Sequence, residues 1–469
     1  MRLNKQGDAL LNSDIWAAGL AVLGSSGSGK SSILNQLAVQ ACLRGSHVVF
    51  CTSKPSDART AMLLARVGGC ERIRELRLGR DTFSLSRFTQ RSLVGQPGAA
   101  DELAQVLTLP LRLQNRSGGA SDPHWASDAN RLVRSVSVVF HAARVDLTTR
   151  VLVDVLVNLP RSTEDASEDD WWHRNPLTRA LAAINRRHLT AAVSDDVDRA
   201  AAFLLRTFPA MPHRTRESTV STLLAPLDPL LYGDVGAAVN GEMDTWSPKE
   251  VFEAPGATIF AMPSQISKAN ATMQRMLLSA VQKELARRTP EEVPHPVIII
   301  ADEFATLVDP EDDLEFMRVA RDRRGAMFFA VQDVSSIRAA MGGTPDSQAA
   351  ADAILGLPAV KMFAASSDVL SMKLASQTFA ETYQPRVTLG SSSGGDPRQP
   401  RSGTNASVSM ELRPDVTPHE FSTLRRGGLE NGFIVEAFCS VAGRVWKASR
   451  KTSLKIAVPQ LRLDLLPSD

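Results

Sequence analysis

Apolar residues along this chain follow two rhythms. Short unbroken runs, Ala17-Ala18-Gly19-Leu20-Ala21-Val22-Leu23 and His47-Val48-Val49-Phe50-Cys51-Thr52, read as buried strands. Between them, Ile33, Leu34, Leu37 and Leu43 predict a helix from Ser32 to Leu43 with those four side chains inward. Ser53-Lys54-Pro55-Ser56-Asp57 signals a turn, with Asp57 the expected cap of a helix to about Val67. Arg74 to Leu78 and Phe83 to Ser86 read as short strands. Pro97-Gly98 then breaks the chain before a helix from Asp101 to Leu113.

The pattern changes after the Gly/Ser-rich loop from Arg116 to Pro123. From about residue 124 to 232 the spacing is helical throughout. Leu132, Val136, Val139 and Phe140 are followed by Val151, Val155 and Leu156, then Val197, Ala200, Ala201, Leu204 and Phe208, then Val220, Leu223, Leu224 and Leu227. This predicts an all-alpha domain (residues 119–234) inserted between two parts of one core domain (1–118 and 235–469). Within it, the acidic stretch from Glu164 to Trp172 reads as a solvated connection. Its paired tryptophans leave a partner contact as the other reading.

Alternation then resumes. Strands are expected over Ala257–Met262, Pro296–Ala301, Ala326–Val331 and Ala359–Ala364. Helices are expected over Gln265–Arg288, Asp313–Arg324 and Asp368–Phe379. This rhythm predicts an α/β fold with a mostly parallel sheet and helices on both faces. Ser391 to Ser407, rich in Ser, Gly, Pro and Arg, is expected to be mobile. Phe433–Phe438 and Gly443–Lys447 would close the chain as a hairpin.

Charge and cysteines narrow the picture. Over 469 residues the net charge is only +2, so any nucleic-acid contact must be a local patch or an assembled pore. Cys42, Cys51, Cys70 and Cys439 form no C-x-x-C pair, which argues against a zinc site and fits a reducing cytoplasm. No run approaches the roughly 18 apolar residues of a membrane span, and Met1 to Asp8 lacks a signal-peptide core. Membrane association is therefore expected only through a partner.

Candidate chemistry begins at Gly24-Ser25-Ser26-Gly27-Ser28-Gly29-Lys30-Ser31, which fits G-x-x-x-x-G-K-[ST] at every fixed position. Glycines let the backbone curl around phosphate oxygens, and the following helix, from Ser32, turns its positive end to the anion. Lys30 would face the β/γ-phosphates, and the Ser31 hydroxyl would hold Mg²⁺. Val297-Ile298-Ile299-Ile300-Ala301 ends in Asp302-Glu303, an acid pair suited to Mg²⁺ (Asp302) and to the attacking water (Glu303). Gln332 ends the next strand, where its amide could sense the γ-phosphate. Arg318, Arg321, Arg323 and Arg324 either complement their helix terminus or reach a neighbour's nucleotide, with Arg321 and Arg324 the leading candidates.

Together the phosphate loop, the strand ending Asp302-Glu303-Phe304 and the Arg-rich segment leading to Ala330-Val331-Gln332-Asp333 resemble the TraD/TraG-like coupling ATPases of type IV secretion and conjugation, within the FtsK/HerA class of DNA pumps. Asp122-Pro123-His124-Trp125 resembles the entry to that family's all-alpha domain. Val360-Lys361-Met362-Phe363 with the Ser376 helix resembles a later core strand and helix. Pro418-His419-Glu420-Phe421 with Leu424-Arg425-Arg426-Gly427 resembles its C-terminal segment. The resemblance implies a RecA-like phosphate-loop NTPase core, ATP and Mg²⁺ as cofactors, and a homo-hexameric ring passing DNA. It further implies a relaxase and secretion-channel proteins as partners. With no membrane span in the sequence, a cytoplasmic location, peripheral to the inner membrane through those partners, is expected.

Two features depart from the family pattern. Its members usually begin with transmembrane helices, whereas about sixteen residues precede the core here. An Asp-x-Lys pattern after the second strand is replaced by Thr52-Ser53-Lys54. A protein-substrate or secretion-assembly ATPase, and a scaffold with structural nucleotide, are the competing readings.

Overall fold

The computed structural model describes residues 17–116, 123–167, 171–172, 175–184, 188–393, 402–447 and 450–461. Among them run eleven strands. The first six are β1 (Leu20–Leu23), β2 (His47–Cys51), β3 (Ile73–Leu76), β4 (Gly256–Phe260), β5 (Val297–Ala301) and β6 (Gly325–Val331). The remaining five are β7 (Val360–Phe363), β8 (Glu381–Ser393), β9 (Ser402–Pro414), β10 (Ile434–Val441) and β11 (Ser453–Pro459). Six helices matter below: α1 (Lys30–Leu43), α2 (Ala99–Arg116), α3 (Pro123–Ala143), α4 (His213–Leu227), α5 (Lys268–Arg287) and α6 (Pro310–Val319).

The chain divides into two compact units. One gathers the stretch up to Gln36, Phe328–Ser336 and the chain from Pro358 onward. In it β1 lies between β6 and β7, parallel to both, with Leu20 opposite Phe328 and Val360. β10 pairs antiparallel with β7 and with β11. β1 is buried along its whole length, as expected of a strand covered on both faces. Phe363, Phe379, Phe421 and Phe438 pack as an aromatic cluster with ring centroids 5.5 to 6.2 Å apart.

The other unit comprises Leu37–Met327 and Ile337–Leu357. Its strands run in the order β5-β2-β4-β3, all parallel, with His47 opposite both Gly256 and Val297. Between β3 and β4 every element among the described residues is helical. α2 packs on α3 and α4 there, and on α5. Leu132, Val136, Val139 and Phe140, read from helical spacing, are fully buried.

Several local expectations need correction. Leu43 is 61% exposed. It lies nine residues beyond buried Leu34, about 180° around the helix, so the two cannot share a face. Phe83–Ser86 is no strand: a helix starts at Leu85, with the Ser84 hydroxyl at its cap. Ser56, not Asp57, is the cap of the next helix upstream. The Asp57 carboxylate reaches back instead to the N–H groups of Ser53 (2.9 Å) and Lys54 (2.7 Å). The helix expected over Asp313–Arg324 spans Pro310–Val319 and tightens to a 3-10 turn over Ala320–Arg323. The closing hairpin exists, but its second arm is β11 rather than 443–447.

Of the stretch expected to be mobile, residues 391–393 and 402–407 belong to an antiparallel ribbon. β8 and β9 pair in full register over 13 residues each, and residues 394–401 lie outside the described set. Its composition hid a period of two. Tyr383, Pro385, Val387 and Leu389 stand opposite Leu412, Met410, Val408 and Ala406, while the intervening pairs are polar.

Candidate functional site

The loop from Gly24 to Ser31 joins β1 to α1, and its backbone shows why glycine is needed. Gly27 has φ +72° and Gly29 φ +89°, conformations that other residues enter only at a cost. A Cβ on Gly29 would lie 2.3 Å from Val435 Cγ2, and one on Gly24 would lie 2.6 Å from Ser28 Oγ. Backbone bonds fix the curl. Gly24 N–H donates to the Val331 carbonyl at 3.3 Å and Ser25 N–H to Ala365 at 2.9 Å. Ser367 N–H donates to Ser25 Oγ at 3.0 Å. Farther along, Gln460 Nε2 donates to Ser32 Oγ at 3.0 Å and Gln36 Nε2 to the Pro459 carbonyl at 3.0 Å, tying the start of α1 to the end of β11.

Lys30 is buried in this curl, where Nζ donates to the carbonyls of Gly24 (2.7 Å) and Ser25 (3.1 Å). Ser28 Oγ is buried with no hydrogen-bond partner, whereas Ser26, Gly27 and Ser31 are exposed. A helix N-terminus, a buried ammonium, a partnerless hydroxyl and a curl closed to side chains all fit a phosphate group. Half-buried Gln332 follows Val331 directly, beside the residue that accepts the Gly24 bond.

Asp302 and Glu303 follow β5 in the other unit, both half-buried. Glu303 has φ +56° and ψ +45°, left-handed for a residue with a Cβ, which costs about 1–2 kcal/mol. Such strain persists only where the surroundings impose it. Here Glu303 N–H donates to Asp302 Oδ1 at 3.2 Å, and the Thr306 N–H and hydroxyl both donate to the Glu303 carbonyl at 3.0 Å. Phe304 is fully buried, anchoring the turn.

Residues that the sequence reading did not single out complete this brace. Arg275 on α5 is fully buried; its Nη1 donates to the Leu307 carbonyl at 3.2 Å and to Asp313 at 2.7 Å. Asp313 also accepts the Asp309 N–H at 2.7 Å. Burial opposes ionisation of Asp312, yet Arg275, Lys283 and Arg112 together bring its pKa down to about 2. Three acids opening α6, Glu311, Asp312 and Asp313, were the available signal.

The arginine cluster is placed by one backbone bond. The Arg324 carbonyl accepts the Val297 N–H at 2.9 Å, so Arg324 lies at the amino end of β5, whereas Glu303 lies beyond its carboxyl end. Five strand residues separate the two ends, about 17 Å. Arg318, Arg321 and Arg324 are exposed and Arg323 is half-buried.

Secondary features follow suit. Thr52 takes the place of the absent acid, and its hydroxyl donates to the Phe260 carbonyl at 2.5 Å. Ser376 Oγ donates to the Val416 carbonyl at 2.8 Å, joining its helix to the segment that carries Phe421. Trp171 and Trp172 donate their indole N–H groups to the carbonyls of Asn158 and Ala166, both at 2.8 Å, and residues 168–170 of that acidic stretch lie outside the described residues. Asp122 lies outside the described residues.

Residues 296–426 match the family model described as the TraM recognition site of TraD and TraG. No curated protein matches the sequence. Among solved structures, the bacterial conjugative coupling protein TrwB in its unbound monoclinic form aligns with a TM-score of 0.58 at 14% identity, covering 96% of this chain and 86% of that one. TrwB with ADP and Mg²⁺ aligns at 0.61 and 14% identity, over 96% and 87% of the two chains. TrwB with the ATP analogue ADPNP aligns at 0.60 and 14%, over 95% and 86%. At such identity the likeness is one of fold: a phosphate-loop α/β core with a mostly parallel sheet. By sequence over 296–426, and by fold over nearly its whole length, the chain resembles the TraD/TraG-like coupling ATPases of type IV secretion and conjugation.

Proposed function

We propose that this chain is an ATP-hydrolysing ring motor that couples or translocates DNA, bare or as nucleoprotein, in conjugative transfer or type IV secretion. The observation that carries the reading is the phosphate loop with Lys30 buried inside it, in a fold that matches a conjugative coupling protein over 96% of the chain. TrwB has been solved with ADP and Mg²⁺, and ATP with Mg²⁺ is assigned to this loop on the same chemistry. Gly24 through Ser32 cradle the phosphates and Lys30 supplies charge. Ser31 and Asp302 serve the ion, Glu303 orients water and Gln332 senses the γ-phosphate. Among the described residues no three His, Cys, Asp or Glu side chains converge as a metal site. That is compatible with Mg²⁺ held by few protein ligands, water and substrate phosphates.

The ring is a homo-hexamer in this reading, with Arg321 or Arg324 serving a neighbour's site. The helical domain folds as its own unit and reads substrate, and the partners are a relaxase and channel proteins. No helix among the described residues is long and apolar enough to cross a membrane. In this reading, contact with the inner membrane comes through a partner. The test is ATP turnover by the full chain alone, with single-stranded DNA and with duplex DNA. Turnover should rise with DNA, and the stimulation should weaken as salt increases. Hydrolysis indifferent to both DNA forms would return the reading to a protein-substrate motor, and absence of hydrolysis would overturn it.

A further inference from the structure

Helix α2 touches three neighbours through charged or polar groups. Toward the helical domain, Arg134 of α3 donates to Asp101 at 3.1 Å. Toward the core, Glu102 pairs with Arg287 of α5, and Gln105 accepts from Lys283 at 2.8 Å. Its far end carries Arg112, whose Nη2 lies 3.2 Å from Asp309 and 3.4 Å from Asp312, and which also pairs with Glu311. Asp309 is the N-cap residue of α6, six residues beyond Glu303 and directly after the turn that Glu303 begins. The same turn is held from the core side by Arg275, through the Leu307 carbonyl and Asp313.

We propose that Arg112 is a positioning residue for Glu303, through which the helical domain sets the geometry of the acid turn. The inference rests on the water-orienting role assigned to Glu303 above. Three observations support it. Glu303 is left-handed at φ +56°, so its conformation depends on the bonds around it. Asp309 is 3% exposed and Arg112 20%, so their attraction is only partly screened by solvent. Pro110 lies in α2 between Asp101 and Arg112 and has no N–H for the carbonyl of Val106. The ladder is therefore interrupted between the end that meets α3 and the end that meets the acid turn. Movement of the helical domain would reach Asp309 through Arg112, while Arg275 keeps the rest of the turn in place. Burial opposes ionisation of Asp312, and Arg275, Lys283 and Arg112 hold its pKa low against it.

The test uses the full chain and compares Arg112→Ala and Arg112→Lys with the parent. Two readouts are taken: steady-state ATP hydrolysis and amide hydrogen exchange over residues 302–309. Arg112→Ala should lower kcat about ten- to a hundredfold with KM unchanged, since small misplacement of a catalytic group has effects of that size. It should also speed exchange in 302–309 while exchange in β5 and α5 stays as in the parent. Arg112→Lys, which keeps the charge, should recover part of both. In a Glu303→Gln background, Arg112→Ala should lower turnover no further, because both changes act through one group. Unchanged exchange at 302–309 in Arg112→Ala, or a fall in turnover fully additive with Glu303→Gln, would overturn the proposal. If Arg112→Ala does not fold, the same two readouts on Arg112→Lys decide it. A parent protein that hydrolyses no ATP would remove the proposed function, and the exchange comparison would still show whether Arg112 holds the turn.

Discussion

Around the phosphate loop the constraints are backbone hydrogen bonds and missing side chains: glycines at positive φ, a Cβ-free contact with Val435, and carbonyls that hold Lys30. Around the acid turn they are buried ionisable groups. Glu303 keeps its Cβ in a left-handed conformation, while Arg275, Asp309, Asp312, Asp313 and Arg112 fix the chain that follows. The two regions should fail differently. The first is vulnerable to added atoms, and the second to lost charge.

The largest expected effects come from removing the working groups themselves. Lys30→Ala takes away the ammonium inside the loop and should abolish both ATP binding and turnover with the fold retained. Glu303→Gln keeps the side chain's size but not its charge. It should bind ATP as the parent does and lose turnover by about 10²- to 10⁴-fold. Nucleotide binding by fluorescence titration beside steady-state turnover checks the split. Parent-like turnover in Lys30→Ala would remove the phosphate-loop assignment, and parent-like turnover in Glu303→Gln would place water activation elsewhere.

Next in size is the arginine effect. Arg321 to Arg324 lie at the amino end of β5, about 17 Å from the end that leads to Glu303. That separation favours action on a neighbour, or capping of their own turn, over a role at the same subunit's acid. A charge donated in trans contributes on the order of 10³-fold or more in phosphoryl transfer. Mixing Glu303→Gln protein with Arg321→Ala or Arg324→Ala protein should restore part of the ATPase activity that each lacks alone. Mixed assemblies, confirmed by mass, that stay inactive would assign the arginines to capping.

Much of this was legible in the sequence because local spacing carries it. The phosphate loop announces itself in eight residues, and β5 reads as a strand because Val297 to Ile300 are uniformly apolar and β-branched. The buried helices between β3 and β4 declared themselves by period. What stayed hidden depends on partners distant in sequence. Val435 packs on Gly29, Gln460 bonds Ser32, and Arg112 meets Asp309, each across more than a hundred residues of chain. The ribbon was missed for a different reason. Its Ser/Gly-rich tip dominated the composition while the alternation lay in its stem, from Tyr383 to Leu389 and Val408 to Leu412. Glu303's left-handed backbone had no sequence signal at all, since Glu has no preference for it.

Glycine substitutions sharpen the phosphate-loop side of the comparison. Gly29→Ala brings two costs: a left-handed conformation for a residue with a Cβ, about 1–2 kcal/mol, and a clash 2.3 Å from Val435 Cγ2, typically about 1–3 kcal/mol. Gly27→Ala, at φ +72° with nothing within 4 Å of the added atom, brings only the first. Denaturant melts should therefore rank Gly29→Ala below Gly27→Ala. Adding Val435→Ala to Gly29→Ala should recover the steric part and leave the backbone part, after allowing for the loss from Val435→Ala alone. Equal losses at the two glycines would mean that Val435 yields freely and the curl is less constrained than its contacts imply.

The smallest effect, spread over a range of pH, tests the other side. His47 on β2 is buried in the unit that carries the acid turn; its ring lies 2.9 Å from the Ala254 carbonyl and 2.9 Å from the Thr258 hydroxyl. A neutral ring satisfies both, with Nδ1–H donating to the carbonyl and Nε2 accepting from the hydroxyl. Burial is the main reason its pKa falls from 6.5 to about 4, with nearby His295 and Arg72 adding to the fall and the Ala254 carbonyl opposing it. The sign follows from which state takes up the proton. Above pH 6.5 the ring is neutral folded and unfolded, and the full stability is present. As pH falls from 6.5 toward 4, the unfolded chain binds a proton that the folded chain refuses, so folding weakens. The shift corresponds to about 3 kcal/mol at most. His295, whose pKa is also lowered by burial, acts in the same direction. Urea melts at pH 7.5 and pH 4.5 should show this loss, and His47→Gln, which can donate and accept without titrating, should flatten the His47 share of the slope. A slope unchanged in His47→Gln would mean that carboxylates alone set the acid limit of this unit.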